Sequence, residues 1–145
     1  MLAGRAAPTW VVYPPGASVV PMKNNNKSNI LAVVDDLFFA TKISETARRA
    51  GVAVEFVTDE EALFQKAAGK PTLIIVDLNL SRLQPLPLIR KLKSDPELKQ
   101  TSILAFVSHV QGELKMQAQE AGCDMVLARS SFSQNLPQIL KRHTG

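Results

Sequence analysis

The chain has 145 residues, of which 46% are apolar and 21% charged, and its net charge is +4. These values are typical of one globular domain and exclude a disordered or fibrous protein. The longest apolar runs, such as residues 30–34, are far shorter than the roughly 20 residues that a membrane span requires. The basic residues are scattered among acidic ones, without the basic stripe of a nucleic-acid binder. We therefore expect a cytoplasmic protein that binds neither membranes nor nucleic acid.

Residues 1–29 differ in composition from the rest of the chain. Four prolines interrupt short apolar pairs, and an Asn-rich polar tract follows, so neither helical nor strand periodicity is present. We expect a flexible N-terminal extension before a domain that covers residues 30–143. The alternative is that the apolar residues 10–13 dock on a partner or on the domain itself.

From residue 30 onward, short apolar strands alternate with amphipathic helices of about ten residues. The first strand, residues 30–34, has the continuous apolar composition of a strand buried on both faces. Thr58 stands three residues before Glu61, which is the spacing of a capping box at the start of the second helix. The predicted strands are residues 30–34, 52–57, 73–76, 103–107 and 125–128; the predicted helices are residues 37–50, 58–68, 86–92, 113–121 and 133–142.

This alternation indicates βαβ units and a parallel sheet with helices on both faces. Five strands in this rhythm suit an α/β, doubly wound sheet in the order 2-1-3-4-5. In such sheets, ligands bind beyond the C-terminal ends of the strands. The residues at those ends therefore decide what the domain can do.

The candidate site residues follow the first, third, fourth and fifth predicted strands. Asp35 and Asp36 follow the first strand and Asp77 ends the third, while Ser108 and Arg129 follow the fourth and fifth. The first and third strands are neighbours about 4.8 Å apart in this order, so we expect the three carboxylates to converge on one pocket. Clustered carboxylates need counter-charge, and Mg²⁺ prefers such oxygen ligands. A hydroxyl and a cation nearby would complete a cradle for a phosphoryl group.

A simpler interpretation competes with this one. An Asp at the end of a strand often does no more than cap the following helix, and for Asp36 capping is as good an explanation as metal binding. Ser and Arg are also common at strand ends. The set carries more weight than its members, because all of them lie at the C-terminal ends of the appropriate strands.

Residues 30–142 resemble the receiver domain of two-component response regulators over nearly their whole length. Three segments carry the resemblance besides the acidic pair: Leu-Ile-Ile-Val-Asp-Leu-Asn-Leu at residues 73–80, Phe-Val-Ser-His at 106–109 and Ala-Gly-Cys-Asp at 121–124. The resemblance implies a flavodoxin-like receiver fold in which Asp77 is phosphorylated by a histidine kinase or phosphotransfer protein. It also implies Asp36, Asp77 and the Asn79 carbonyl as Mg²⁺ ligands and Asp35 as a water-mediated one. Ser108 would hydrogen-bond a phosphoryl oxygen.

The chain departs from the family pattern in the part that relays the signal. The family's Lys-Pro after the fifth strand is Arg129-Ser130, and a planar guanidinium does not replace a compact ammonium neatly. Val126 stands where the family has a switch aromatic residue. In the loop after Asp77, the family's Pro and Asp-Gly are replaced by Ser81 and Gln84-Pro85, which makes the loop more rigid.

The sequence is compatible with three functions. The first is a single-domain phosphoacceptor receiver that is not a classical enzyme and signals through contacts with a downstream protein, and a homodimer is compatible with it. The second is a phosphorylation-independent pseudo-receiver that acts as a protein-interaction module. The third is a small Mg²⁺-dependent phosphatase, which the spacing of Asp77 and Asn79 faintly suggests. The phosphatase is the weakest of the three, because its acidic motif normally follows the first strand.

Overall fold

The computed structural model describes residues 30–108 and 112–143, so the expectations for residues 1–29 lie outside it. Five parallel strands form one sheet in the order 2-1-3-4-5, as the sequence predicts. The strands are β1 Ile30–Val33, β2 Val54–Val57, β3 Leu73–Asp77, β4 Ser102–Val107 and β5 Met125–Ala128. The helices are α1 Leu37–Ala50, α2 Glu60–Ala67, α3 Pro85–Lys93, α4 Gly112–Ala121 and α5 Arg129–Arg142, with a short 3-10 turn at Pro96–Leu98.

The sheet separates two apolar cores. One core lies between the sheet and α2, α3 and α4, and includes Leu63, Ile89 and Ala118. The other lies between the sheet and α1 and α5, and includes Ile43 and Leu136. Every residue of β1 and β3 is buried, because helices cover both faces of a parallel sheet. The α/β doubly wound fold is therefore confirmed. None of the described helices has the length and apolar character needed to cross a membrane.

The last helix begins four residues earlier than predicted. The sequence suggested a start at Ser133, but α5 begins at Arg129, directly after β5. Ser130 stands where the resembled family has a proline. A proline at position 130 would disfavour the helical conformation of Arg129, the residue before it, whereas serine does not. Arg129 is therefore the first residue of α5 and directly follows the last residue of β5.

The cap of α2 also differs from the prediction. Asp59, and not Thr58, is the N-cap residue, and its carboxylate accepts a hydrogen bond of 2.7 Å from the backbone N–H of Ala62. Asp is as good an N-cap as Thr or better, and Glu60 and Glu61 then occupy the first turn, where negative charge suits the helix dipole. The helix itself is where the sequence placed it.

Candidate functional site

Asp77 lies at the C-terminal end of β3, in the middle of the sheet, and only 1% of its surface is exposed. Its Oδ1 accepts a hydrogen bond of 2.8 Å from the backbone N–H of Asn79. Burial raises the pKa of Asp77 above its usual value, and the charges of Asp35 and Asp36 act in the same direction, while the Asn79 N–H and the Arg129 guanidinium oppose it. The candidate nucleophile is thus a buried carboxyl group whose ionised form depends on its neighbours for stabilisation.

Asp36 fulfils both of the roles considered for it. Its Oδ1 caps α1 by accepting hydrogen bonds from the backbone N–H groups of Phe38 and Phe39, at 2.9 and 3.4 Å. Its Oδ2 accepts a hydrogen bond of 2.9 Å from Nη2 of Arg129. The helix-capping role of Asp36 is therefore confirmed, and its second carboxylate oxygen pairs with the guanidinium of Arg129.

Arg129 connects the two acidic strand ends. The same Nη2 that pairs with Asp36 lies 3.9 Å from Oδ2 of Asp77. The guanidinium carbon lies 4.5 Å from the centre of the Phe39 ring, within the range of a cation–π interaction. The structure thus brings Asp36, Asp77 and Arg129 together, as we expected from the sequence.

Asp35 has a different hydrogen-bond partner from Asp36 and Asp77. Its carboxylate is exposed, and its Oδ2 accepts hydrogen bonds from the backbone N–H and the hydroxyl of Ser81, at 3.2 and 3.1 Å. Ser81 is one of the positions at which the chain departs from the resembled family. Ser81 therefore connects the end of β1 to the loop after β3 through its hydrogen bonds to Asp35.

Ser108 and Asn79 are joined to each other. The side-chain oxygen of Asn79 accepts hydrogen bonds from the backbone N–H of Ser108 at 3.0 Å and from its hydroxyl at 3.1 Å. The sequence suggested a role for the Asn79 backbone carbonyl and did not predict this use of the side chain. In the arrangement described, the hydroxyl of Ser108 donates to Asn79.

The carboxylates have the chemistry of a Mg²⁺ site but are not arranged as one. Among residues 30–108 and 112–143, no three His, Cys, Asp or Glu side chains come together so that they could hold a metal ion. Most of the oxygens expected to act as ligands already have partners: Asp36 uses both of its oxygens, and Asp35 and Asp77 use one each. The expected ligand set of Asp35, Asp36, Asp77 and Asn79 stays a prediction.

Three phenylalanines, which the sequence did not single out as part of the site, form a stacked cluster, and Arg129 lies over the first of them, Phe39. Phe39 stacks on Phe106 with ring centres 5.0 Å apart, and Phe106 stacks on Phe132 at 4.5 Å. They come from α1, β4 and α5. The sequence identifies Phe39 only as an apolar residue of the first helix. Its contact with Arg129 could not be predicted, because it depends on the packing of α1 beside α5.

Comparison with known proteins supports the fold. A CheY4 chemotaxis protein from Vibrio cholerae is 24% identical, with 81% of this chain and 99% of that chain covered and a TM-score of 0.70. A response regulator from Thermotoga maritima is 18% identical, with 79% and 95% covered and a TM-score of 0.65. The Mn²⁺-bound form of response regulator Rcp1 is 19% identical, with 78% and 88% covered and a TM-score of 0.61.

These matches define the class of fold: the chain has the five-stranded receiver fold of response regulators. At such identities the likeness establishes the fold alone. No protein-family model and no curated protein sequence matches the chain. The function must therefore be argued from the site.

Proposed function

We propose that the protein acts as a receiver that accepts a phosphoryl group on Asp77 from a histidine kinase or phosphotransfer protein and signals through protein–protein contacts. The observation that carries the proposal is the position of Asp77, a carboxyl group at the C-terminal edge of the central strand with the guanidinium of Arg129 beside it. A structural acidic residue would not need to be buried at this edge, where ligands of such sheets bind.

The side chains supply what phosphoryl transfer requires. An oxygen of Asp77 attacks the phosphorus of the donor, the bond between phosphorus and the donor's histidine nitrogen breaks, and its electron pair stays on that nitrogen. Only the ionised carboxyl group can attack, and Arg129 favours this form, since its charge lowers the pKa of Asp77 against the effect of burial. Positioning and neutralisation of charge are the main contributions a protein makes to this reaction.

Magnesium dependence is part of the proposal. Carboxylate and carbonyl oxygens are the ligands that Mg²⁺ prefers, and Asp36, Asp77 and Asn79 offer them at one edge of the sheet. A bound ion would neutralise charge on the phosphoryl group. The Mn²⁺-bound state of Rcp1 supports the choice of a divalent cation, although Asp36 would first have to release Arg129.

The experiment is incubation of the full chain with Mg²⁺ and acetyl phosphate, followed by intact-mass measurement. The expected result is a gain of one phosphoryl group by the native protein and none by Asp77→Asn. The matched control is Asp59→Asn, because Asp59 is an exposed helix cap on another strand end and its loss should leave the gain unchanged. A gain that persists in Asp77→Asn, or no gain in any of the three, would overturn the proposal.

A phosphorylation-independent pseudo-receiver is the second candidate. The observation that favours it is the closed state of the pocket: Asp77 is 1% exposed and both oxygens of Asp36 are engaged. In this case the same fold would serve as an interaction module with an unidentified protein or a second copy of the chain. The mass experiment decides between the two candidates, since the pseudo-receiver gains no phosphoryl group.

A further inference from the structure

The positively charged guanidinium of Arg129 lies beside the carboxylates of Asp36 and Asp77. Nη2 of Arg129 is 2.9 Å from Asp36 Oδ2 and 3.9 Å from Asp77 Oδ2. Both oxygens belong to carboxylates that the proposed function assigns to a divalent ion. A guanidinium and a divalent ion cannot both occupy the space between them, because two cations in contact repel each other strongly in a partly buried site.

The guanidinium is held there by an aromatic surface. It lies on the ring of Phe39, which is buried and stacks on Phe106. A cation over an aromatic face gains about 0.5–2 kcal/mol, with the larger values where water is excluded. Because Arg129 is the first residue of α5, its backbone is fixed and the side chain has little freedom to leave Phe39 without losing this contact.

One hydrogen-bond donor of the Arg129 side chain nevertheless lacks a partner among the described residues. Its Nε is buried and has no hydrogen-bond acceptor within the part of the chain that the structure describes. A buried donor without a partner costs about 1–3 kcal/mol. One nitrogen faces both carboxylates, so the ion pair is not the bidentate fork that makes Arg–carboxylate pairs strong. The guanidinium is therefore held less firmly than in a bidentate pair.

We propose that Arg129, positioned by Phe39, is the resident cation of this pocket and competes with a divalent metal ion for Asp36 and Asp77. The inference deepens the proposed function, and rests on it for its biological meaning, because it makes metal entry conditional on the release of Arg129. Arg129 is then a residue that sets metal affinity. Phe39 is a positioning residue that acts through Arg129.

Calorimetric titration of the full chain with Mn²⁺ tests the competition. Arg129→Gln removes the competing charge and frees Asp36, and should tighten Mn²⁺ binding by about tenfold or more, which corresponds to about 1.4 kcal/mol. Phe39→Leu keeps an apolar side chain but removes the cation–π seat, and should tighten binding by about threefold. An improvement in affinity distinguishes this role from a structural one, since a merely damaged pocket would bind more weakly.

Arg49→Gln is the matched control. Arg49 is an exposed arginine of α1 whose closest carboxylate contact is Glu45 at 4.0 Å, and its loss changes the net charge by the same amount. Equal or weaker Mn²⁺ binding by Arg129→Gln, no binding by either protein, or the same gain in Arg49→Gln would overturn the proposal. If Arg129→Gln does not fold, Phe39→Leu decides, and unchanged affinity there would also overturn it.

Metal affinity and phosphoryl gain are separate measurements. Tighter Mn²⁺ binding by Arg129→Gln supports the competition even if the native chain never gains mass with acetyl phosphate. A mass gain that is lost in Asp77→Asn supports the phosphoacceptor even if Arg129→Gln leaves metal affinity unchanged. The two proposals can therefore fail independently.

Discussion

The side-chain oxygen of Asn79 accepts hydrogen bonds from both the backbone N–H and the hydroxyl of Ser108. This pair joins the loop after β3 to the end of β4. Phosphorylation of Asp77 would offer the Ser108 hydroxyl a charged acceptor in place of the Asn79 amide, and hydrogen bonds to charged groups are the stronger ones. The pair is thus a candidate for the first contact to change when Asp77 is modified.

We predict a measurable coupling between these two residues. Asn79→Ala should lower the free energy of unfolding by about 1 kcal/mol, because both donors of Ser108 lose their acceptor. Ser108→Ala removes only the hydroxyl bond and should cost less. A double-mutant cycle by urea denaturation should give a coupling of about 0.5 kcal/mol. Strictly additive effects would show that the hydrogen bond contributes nothing to stability.

We predict that Asp77→Asn stabilises the protein near neutral pH. Burial raises the pKa of Asp77 in the folded state above its unfolded value, so the protonated form favours folding. This contribution is complete below the unfolded pKa and is lost as the pH rises through the folded pKa. Asparagine is neutral throughout, so the variant should be more stable than the native protein at about pH 7 and should differ little from it at about pH 3.

Urea denaturation of both proteins at several pH values checks this prediction. Asp59→Asn is again the control, because Asn caps a helix about as well as Asp and the residue it replaces is exposed. Its stability should differ little from that of the native protein across the same pH range. A loss of stability on Asp77→Asn at neutral pH would mean that the contact with Arg129 outweighs the burial of the charge.

We predict that the two roles of Asp36 can be separated by mutation. Asp36→Asn retains an oxygen that can cap α1 but loses the charge that pairs with Arg129, and should cost about 1 kcal/mol. Asp36→Ala loses both and should cost about 2 kcal/mol. Thermal and urea unfolding provide the measurement. Equal losses for the two variants would show that only the ion pair matters.

We predict that Gly122 cannot be replaced by alanine without a large loss of stability. Its φ is +121°, and an added Cβ would lie 2.3 Å from Cγ of Lys93. Lys93 cannot easily yield, because its ammonium group pairs with Asp124 at 3.0 Å. Gly122→Ala should lower the free energy of unfolding by about 2 kcal/mol or more. Gly112→Ala is the control, since nothing lies within 4 Å of the added Cβ, and it should have little effect.

The order and type of the strands and helices could be predicted from the sequence because each is short and strongly patterned. β1 and β3 are continuous apolar runs, and helices on both faces are the arrangement that buries such runs. The start of α5 could not be predicted, since Arg129, Ser130 and Ser131 carry no apolar periodicity. α5 nevertheless includes these residues, and its Phe132 packs against Phe106, which is a tertiary contact that periodicity does not reveal.

The site could be predicted in part for a related reason. β1 and β3 are neighbours in the sheet, so the proximity of Asp36 and Asp77 follows from the strand order, whereas the approach of Arg129 from the end of β5 depends on its long side chain and on the packing of α5. The partners of individual oxygens depend on side-chain geometry, which periodicity does not reveal. The attachment of Asp35 to Ser81, and of Ser108 to Asn79, belongs to this second kind of information.

The most direct test of the central claim is to locate the phosphoryl group on the chain. Acyl phosphates are reduced by borohydride to the corresponding alcohol, so treatment after incubation with acetyl phosphate and Mg²⁺ should convert the phosphorylated aspartate to homoserine. Peptide mass spectrometry is predicted to find homoserine at position 77 and at no other aspartate. Homoserine at Asp36 or Asp35, or its absence from the whole chain while a known receiver treated in parallel is labelled, would contradict the account.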